Sequence, residues 1–277
     1  MSETAETPPG VDPTQASPAR MYDYILGGIH NFPADRALAE QLRQTIPDLV
    51  DLAWANRGFH QRAVAWLARE AGIRQFVDVG SGLPTQNNTH EIAQSVDPVS
   101  RVVYVDIDPM VIAHATELLS EQGNTAVVLG DIRDPDGVLA HPELRALIDL
   151  DQPVGLLMTA LLHFVPDEAD PHGKVAALVD ALAPGSYLAL SHGTNDMYHR
   201  PDVVRRTEEV YRSRSSARIG GRTRAEVERF FAGLEFVPPY DGAEPGLSYA
   251  GLWGAEDPEV ADDDPSRYVY CGVAWKP

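Results

Sequence analysis

The residues best suited to chemistry lie in Gln75-Phe76-Val77-Asp78-Val79-Gly80-Ser81-Gly82, an apolar run that holds an Asp and breaks into Gly-x-Gly. A second run, Arg101-Val102-Val103-Tyr104-Val105-Asp106, ends in an acid one helix and one strand later. That order is the layout of an adenosyl-nucleoside site on a doubly wound sheet. Gly80 and Gly82 carry no Cβ and let a ligand approach the backbone closely. Asp106, at a strand end, offers two acceptor oxygens to the two hydroxyls of a ribose. Gly130-Asp131-Ile132-Arg133 closes a third strand in the same way. There Asp131 would accept from an adenine amino group, while Ile132 donates its backbone N–H and packs on the ring. Ser81 and Ile107 complete the expected cofactor contacts along these loops. Asp108, just before Pro109, reads as a helix cap.

The composition of the glycine loop narrows the ligand. A dinucleotide fingerprint wants a third glycine at position 85, where this chain has Leu83-Pro84-Thr85. A pyrophosphate needs that glycine-lined turn and a helix N-terminus aimed at it. S-adenosylmethionine has no phosphate and carries a sulfonium cation, which also tolerates the Asp78 carboxylate. The alternatives are a nicotinamide dinucleotide site, or a tight strand-to-helix turn that binds nothing.

The elements needed to position these residues follow from the hydrophobic patterning. Helical spacing runs through 34–42 and 51–71, where Leu52, Phe59, Ala63, Trp66 and Leu67 share a face and Gly72 ends the helix. Strands at 74–80, 101–106, 125–130, 153–160 and 186–192 then alternate with helices at 87–96, 109–122, 136–148 and 171–183. Such alternation gives right-handed βαβ units and a parallel sheet covered on both faces. The end of the chain departs from it: a polar helical insertion at 202–217, a helix at 223–232, a strand at 234–238, a loop at 239–266 rich in Gly, Pro and acids, and a strand from Tyr268 to Trp275. Two closing strands without a helix between them place an antiparallel hairpin strand in the sheet. The expected fold class is therefore α/β, with a doubly wound, mostly parallel seven-stranded sheet. Residues 1–18 read as a disordered tail rich in Pro, Thr and Glu.

With Asp78-Val79-Gly80-Ser81-Gly82, Asp106 and Gly130-Asp131 in this order, the chain resembles the class I methyltransferases that depend on S-adenosylmethionine, over roughly residues 54–277. Two more segments sharpen the resemblance. One is Met21-Tyr22-Asp23-Tyr24-Ile25-Leu26-Gly27-Gly28 with Asn31-Phe32 and Asp35-Arg36; the other is Gly80 to Thr85 with Asn88 and His90-Glu91. Together they look like a bacterial family of S-adenosyl methyltransferases of undetermined substrate, formerly a domain of unknown function. The resemblance implies S-adenosylmethionine as cofactor, a methyltransferase domain at 54–277, a helical cap or lid at 19–53 and a substrate-covering insertion at about 197–221. On that reading Tyr22 and Tyr24 fold across the cofactor mouth and Arg36 meets the methionine carboxylate. His90, near the first turn of the helix after the glycine loop, lines the site. The competing reading docks Tyr22 on the sheet, pairs Arg36 with a surface acid and leaves His90 structural.

Methyl transfer is an in-line displacement that rests on alignment and desolvation, so it demands no fixed catalytic motif. The fourth strand runs through Thr159 into Leu161-Leu162-His163-Phe164, placing Thr159 against the cofactor and His163 near the methyl group. His163 is the first candidate general base for a hydroxyl or amine acceptor, and His192, after the fifth strand, the second. His60, His114, His141, His172 and Asp262-Asp263-Asp264 lack paired metal-ligand spacing, and no metal is expected.

The bulk properties agree with a small-molecule acceptor. Of the 277 residues, 41 are Asp or Glu against 22 Lys or Arg, and the net charge of -19 disfavours nucleic acid and anionic membranes. The basic stretch from Arg205 to Arg224 is interleaved with acids and reads as a helix surface or pocket rim. The single Cys271, the lack of a secretion-type N-terminus and the lack of a membrane-spanning run point to the cytoplasm. Three function classes remain in play: methyl transfer, non-catalytic binding of S-adenosylmethionine, and NAD-dependent oxidoreduction.

Overall fold

The computed structural model describes residues 7–84, 87–119, 123–196, 201–215, 217–263 and 265–277. Thr85 of the glycine loop and residues 197–200 of the insertion lie outside them. Three helices come first: α1 (Pro18–Ile25), α2 (Pro33–Thr45) and α3 (Leu49–Arg69). The alternating region follows as β1 (Gln75–Val79), α4 (Thr89–Val96), β2 (Arg101–Asp106), α5 (Pro109–Leu119), β3 (Thr125–Leu129), α6 (Pro135–Ala140), α7 (Pro142–Leu147), β4 (Gly155–Met158), α8 (Pro171–Asp180) and β5 (Tyr187–Gly193). The chain ends with α9 (Pro201–Arg214), α10 (Arg224–Glu228), β6 (Glu235–Phe236), β7 (Ser248–Tyr249), α11 (Pro258–Ala261) and β8 (Val269–Trp275).

The sheet order is β3-β2-β1-β4-β5-β8-β6, with β1 to β5 parallel and β8 antiparallel to both β5 and β6. The expected hairpin strand is β8. Among the described residues an eighth strand joins the expected seven: the two-residue β7, inside the Gly/Pro/acid loop, pairs Ser248 with Cys271. The single helix expected over 136–148 is divided into α6 and α7, because Pro142 removes a backbone donor and pushes His141 out of helical geometry.

Alternation along β1 decides what each residue meets. Val77 and Val79 face a core shared with α6, α7 and α8, whereas Phe76 packs with Phe59, Ala63, Val64 and Leu67 of α3 and with Ala93 of α4. Asp78 shares the Phe76 side by the strand's period of two, so this carboxylate is directed under α3 and α4. A third cluster joins Leu38 and Leu42 of α2, Ile46, Leu49 of α3 and Val210 and Tyr211 of α9.

The polar N-terminal stretch is engaged well before residue 18. Ala16 bridges to Ser215 and is buried, and Ser17 donates its hydroxyl to Asp108. A buried ionic group demands these contacts. Arg20 pairs with Asp35 (3.0 Å) and Asp108 (3.3 Å), all three nearly sealed from solvent, and the carbonyl of Gln15 takes another guanidinium donor. Polar tail residues thus complete hydrogen bonds that an apolar segment would leave unmade.

Candidate active site

The order of the sheet reverses between β1 and β4, and a cavity of about 770 Å³ opens there at the carboxyl ends of the strands. Each strand contributes its exit loop to the wall: Gly80 to Gly82, Asp106 to Asp108, Gly130 to Arg133, Thr159 to Leu161, and Gly193 to Asn195. The glycine loop is built for close approach. Gly80 (φ +71°) and Gly82 (φ +66°) are left-handed, and a Cβ on Gly80 would sit 2.5 Å from a Leu161 methyl. Ala160, in the facing loop, also adopts a left-handed conformation (φ +52°), tied by its N–H to the Ser191 hydroxyl.

Asp106 lies at the cavity wall with little exposure. Its carboxylate accepts from the Gly82 N–H (2.8 Å) and the Asp108 N–H (2.9 Å). Burial outweighs those hydrogen bonds and raises its pKa to about 6. Ile107 is 55% exposed although large and apolar, and it borders the same space as Ile132. Two apolar faces beside a carboxylate at a strand end match the outline of an adenosine. Asp131 also lines the cavity, but Arg133 already grips it through Nε (2.8 and 2.9 Å) and Nη2 (2.6 Å). Burial opposes its charge, yet these hydrogen bonds prevail and keep the carboxyl below its usual range.

Other expected residues stand elsewhere. Asp78 is buried behind the wall, not on it. Its Oδ2 accepts from the Thr89 hydroxyl (2.6 Å), and burial raises its pKa to about 6. His90 is buried between α4 and β2, where its ring and its backbone N–H meet the Tyr104 hydroxyl at 2.7 and 2.9 Å. Arg36 does not reach the cavity: it is exposed and donates to the carbonyl and side-chain oxygen of Asn31, five residues back. Tyr22 does line the cavity, held by donation to the Ala53 carbonyl and acceptance from Asn56 Nδ2.

The two histidines expected to handle protons differ. His163 borders the cavity, and its Nδ1 is buried without a hydrogen-bond partner among the described residues. Burial, then His192 and the Arg222 cation, hold it well below its ordinary pKa. His192 is fully enclosed and off the cavity wall. Its Nδ1 donates to the Gly193 carbonyl (2.7 Å) and its Nε2 accepts from Arg222 Nη1 (2.7 Å), so both nitrogens are committed and its pKa falls to about 3, chiefly through burial. Its place as second candidate base is therefore taken by a structural role. Arg222 itself is buried and ties together the carbonyls of Leu162 and Val165, His192 and Asp167.

Sequence reading missed the polar face of α3. Asn56, Arg57 and His60 all line the cavity, and Asn56 and His60 are buried although flanked by Ala53, Phe59 and Ala63. Arg57 donates to the Asn87 carbonyl and the Asn88 side chain at the start of α4, which brings a cation beside the glycine loop. The available signal was the spacing: polar residues at 56 and 60 interrupt the face that Leu52, Phe59 and Ala63 otherwise make apolar. Three further histidines among the described residues serve the fold. His141 caps α7, His114 packs on His30, and His172 stacks on Phe230 while meeting the Glu226 carbonyl.

Comparison with known proteins agrees with this geometry. Residues 4–277 match the family described as S-adenosyl methyltransferase. The chain belongs to that family. A protein from Thermobifida fusca, provisionally assigned as a methyltransferase, shares 41% identity at TM-score 0.88, with 99% of each chain covered. A DUF574-family protein from Streptomyces avermitilis shares 45% identity at TM-score 0.87, covering 96% of this chain and 99% of its own. No curated protein matches this methyltransferase by sequence. Its cofactor is S-adenosylmethionine, and family membership, not the glycine count, separates that reading from a dinucleotide. The residues fit the group. The left-handed backbone at Gly80 and Gly82 disfavours any side chain beside the cavity, Ile107 and Ile132 supply apolar faces, and a buried carboxylate at Asp106 suits hydroxyl donors. Among the described residues no helix is long and apolar enough to cross a membrane.

Proposed function

We propose that this methyltransferase methylates a small, largely apolar molecule held against α1, α3, α9 and the 217–221 segment. The observation that carries the reading is the wall there. Ile25, Leu49, Leu52, Phe164, Tyr211 and Ile219 all border the cavity, and the α2/α9 apolar cluster backs them. Such a surface rewards burial of apolar area, at about 25 cal/mol per Å². His163 presents the imidazole on that wall that is not already committed to protein hydrogen bonds.

The bound cofactor would supply an electrophilic methyl on a sulfonium. The chain's part is alignment and exclusion of water. Asp106 takes the ribose hydroxyls, Ile107 and Ile132 pack on the base with Asp131 at its edge, and the Gly80-Ser81-Gly82 backbone passes the methionyl portion. Arg57 takes over the carboxylate-binding role that sequence reading gave to Arg36, because it lies beside the glycine loop. His163, neutral at physiological pH, orients or accepts the proton of the acceptor's nucleophile. The single Cys271 and the acidic composition continue to favour a cytoplasmic small-molecule enzyme over a nucleic-acid or membrane partner.

Calorimetry tests the cofactor half. S-adenosylmethionine and its demethylated product both bind, and NADH does not. Asp106→Asn weakens both by about 10- to 100-fold, the loss expected for hydrogen bonds to a charged acceptor. Absence of binding by either cofactor form overturns the proposal. Transfer of labelled methyl to a library of small apolar hydroxyl and amine compounds, lost in His163→Leu with cofactor affinity retained, tests the acceptor half.

A further inference from the structure

A continuous chain of hydrogen bonds runs from the cavity wall to a carboxylate that the cavity never touches. Thr159 Oγ1 lies 3.1 Å from His60 Nδ1, His60 Nε2 lies 2.9 Å from Thr89 Oγ1, and the Thr89 hydroxyl reaches Asp78 Oδ2 at 2.6 Å. Thr159 and His60 line the cavity, while Thr89, the first residue of α4, and Asp78 beneath it are buried off its wall. Each hydroxyl has one proton and a neutral imidazole has one N–H, so the state of the terminal carboxylate sets the direction of every bond in the chain.

With Asp78 ionised, Thr89 must donate to it. His60 Nε2–H then donates to Thr89, His60 Nδ1 is left as an acceptor, and Thr159 donates its only proton to that nitrogen. Thr159 consequently turns lone pairs, and no proton, toward the cavity. With Asp78 protonated every bond can reverse, and Thr159 then has a proton to offer. His60 remains neutral in both cases, its pKa lowered to about 3 by burial and the Arg57 charge.

We infer that the Asp78–Thr89–His60 relay makes Thr159 a receptor for a positively charged N–H donor, the α-ammonium of the cofactor's methionyl portion. The inference rests on the cofactor assignment above. His60, Thr89 and Asp78 are positioning residues that act through Thr159. The groups facing Asp78 are Arg57 and His60 from α3, Thr89 from α4, and Tyr104 and Asp106 from β2. Burial raises Asp78 to about 6 while Thr89 and Arg57 oppose the rise, so the receptor polarity holds above that pH and reverses below it. Asp106 also titrates near 6, so ribose binding weakens over the same range. Only a comparison between ligands that share the ribose isolates the relay.

The decisive comparison is therefore between the demethylated cofactor product and its analogue lacking the amino group, bound to the full-length protein from pH 8 to pH 5. At pH 8 the amino-bearing ligand binds about tenfold or more tightly, the worth of one charge-assisted hydrogen bond. That ratio shrinks toward unity at pH 5, and Thr159→Val removes it at pH 8 without changing affinity for the deamino analogue. In the ligand-free protein, ¹⁵N shifts of His60 show the Nε2–H tautomer at pH 8 and the Nδ1–H tautomer at pH 5. No acceptor is present in these experiments, which separates the cofactor's ammonium from an amine acceptor as the bound cation. Equal binding of the two ligands at both pH values, or a ratio unchanged in Thr159→Val, overturns the inference. Failure of both ligands to bind overturns the cofactor reading instead.

Discussion

His60 and His163 border one cavity and both are held neutral, but His60 is buried, His163 only half-buried, and their surroundings differ. His60, on α3, has each ring nitrogen within 3.1 Å of a hydroxyl and lies 3.8 Å from the Asp78 carboxylate. His163, in the turn after β4, keeps a buried Nδ1 with no partner among the described residues and faces the Arg222 cation. A completed imidazole can only transmit what its neighbours dictate, whereas His163 borders the cavity with neither ring nitrogen hydrogen-bonded to protein among the described residues. Under the proposed function, this difference suits His60 to the cofactor side and His163 to the acceptor side of the same space.

The strongest challenge to this contrast is to remove what anchors the His163 wall. Arg222→Ala strands the carbonyls of Leu162 and Val165 and His192 Nε2, and is expected to cost about 3–5 kcal/mol in chemical denaturation. A loss below about 1 kcal/mol would mean that the wall does not depend on this guanidinium. His60→Leu comes next. It leaves Thr159 without its acceptor and Thr89 without its donor, for a loss of about 2–3 kcal/mol and a fall in Tm of about 5 °C. His163→Leu is the smallest, because an apolar replacement strands no partner and removes an unsatisfied nitrogen. Its stability should lie within about 1 kcal/mol of the parent. Equal destabilisation by the two leucine variants would erase the distinction between the sites.

The cofactor loops were legible because their residues are consecutive: a strand that ends in Gly80-Ser81-Gly82 or in Asp106 declares its exit loop locally. Residues assigned by proximity in sequence fared otherwise. Arg36 stands only five residues after Asn31, and the Asn31 carbonyl and side chain take up its guanidinium before any distant partner can. The sequence puts His192 just after a strand, as it does His163, but β5 runs on to Gly193 and its antiparallel pairing with β8 encloses His192 within the sheet. Arg57 and His60 were hidden in a helix whose apolar face announced only packing.

By itself, the order of apolar runs, glycines and acids determined the parallel sheet and the carboxyl-edge location of a nucleoside-type site, since those depend on local periodicity and on backbone freedom at Gly80 and Gly82. The tertiary structure alone decided which ionisable groups share that site. Helix α3 packs across β1 with residues 56, 57 and 60 toward the cavity, and α4 closes Thr89 over Asp78, joining positions far apart in the chain. Hydrogen-bond direction and pKa depend on distances of a few ångströms and on the exclusion of water, and both are set only when the helices dock.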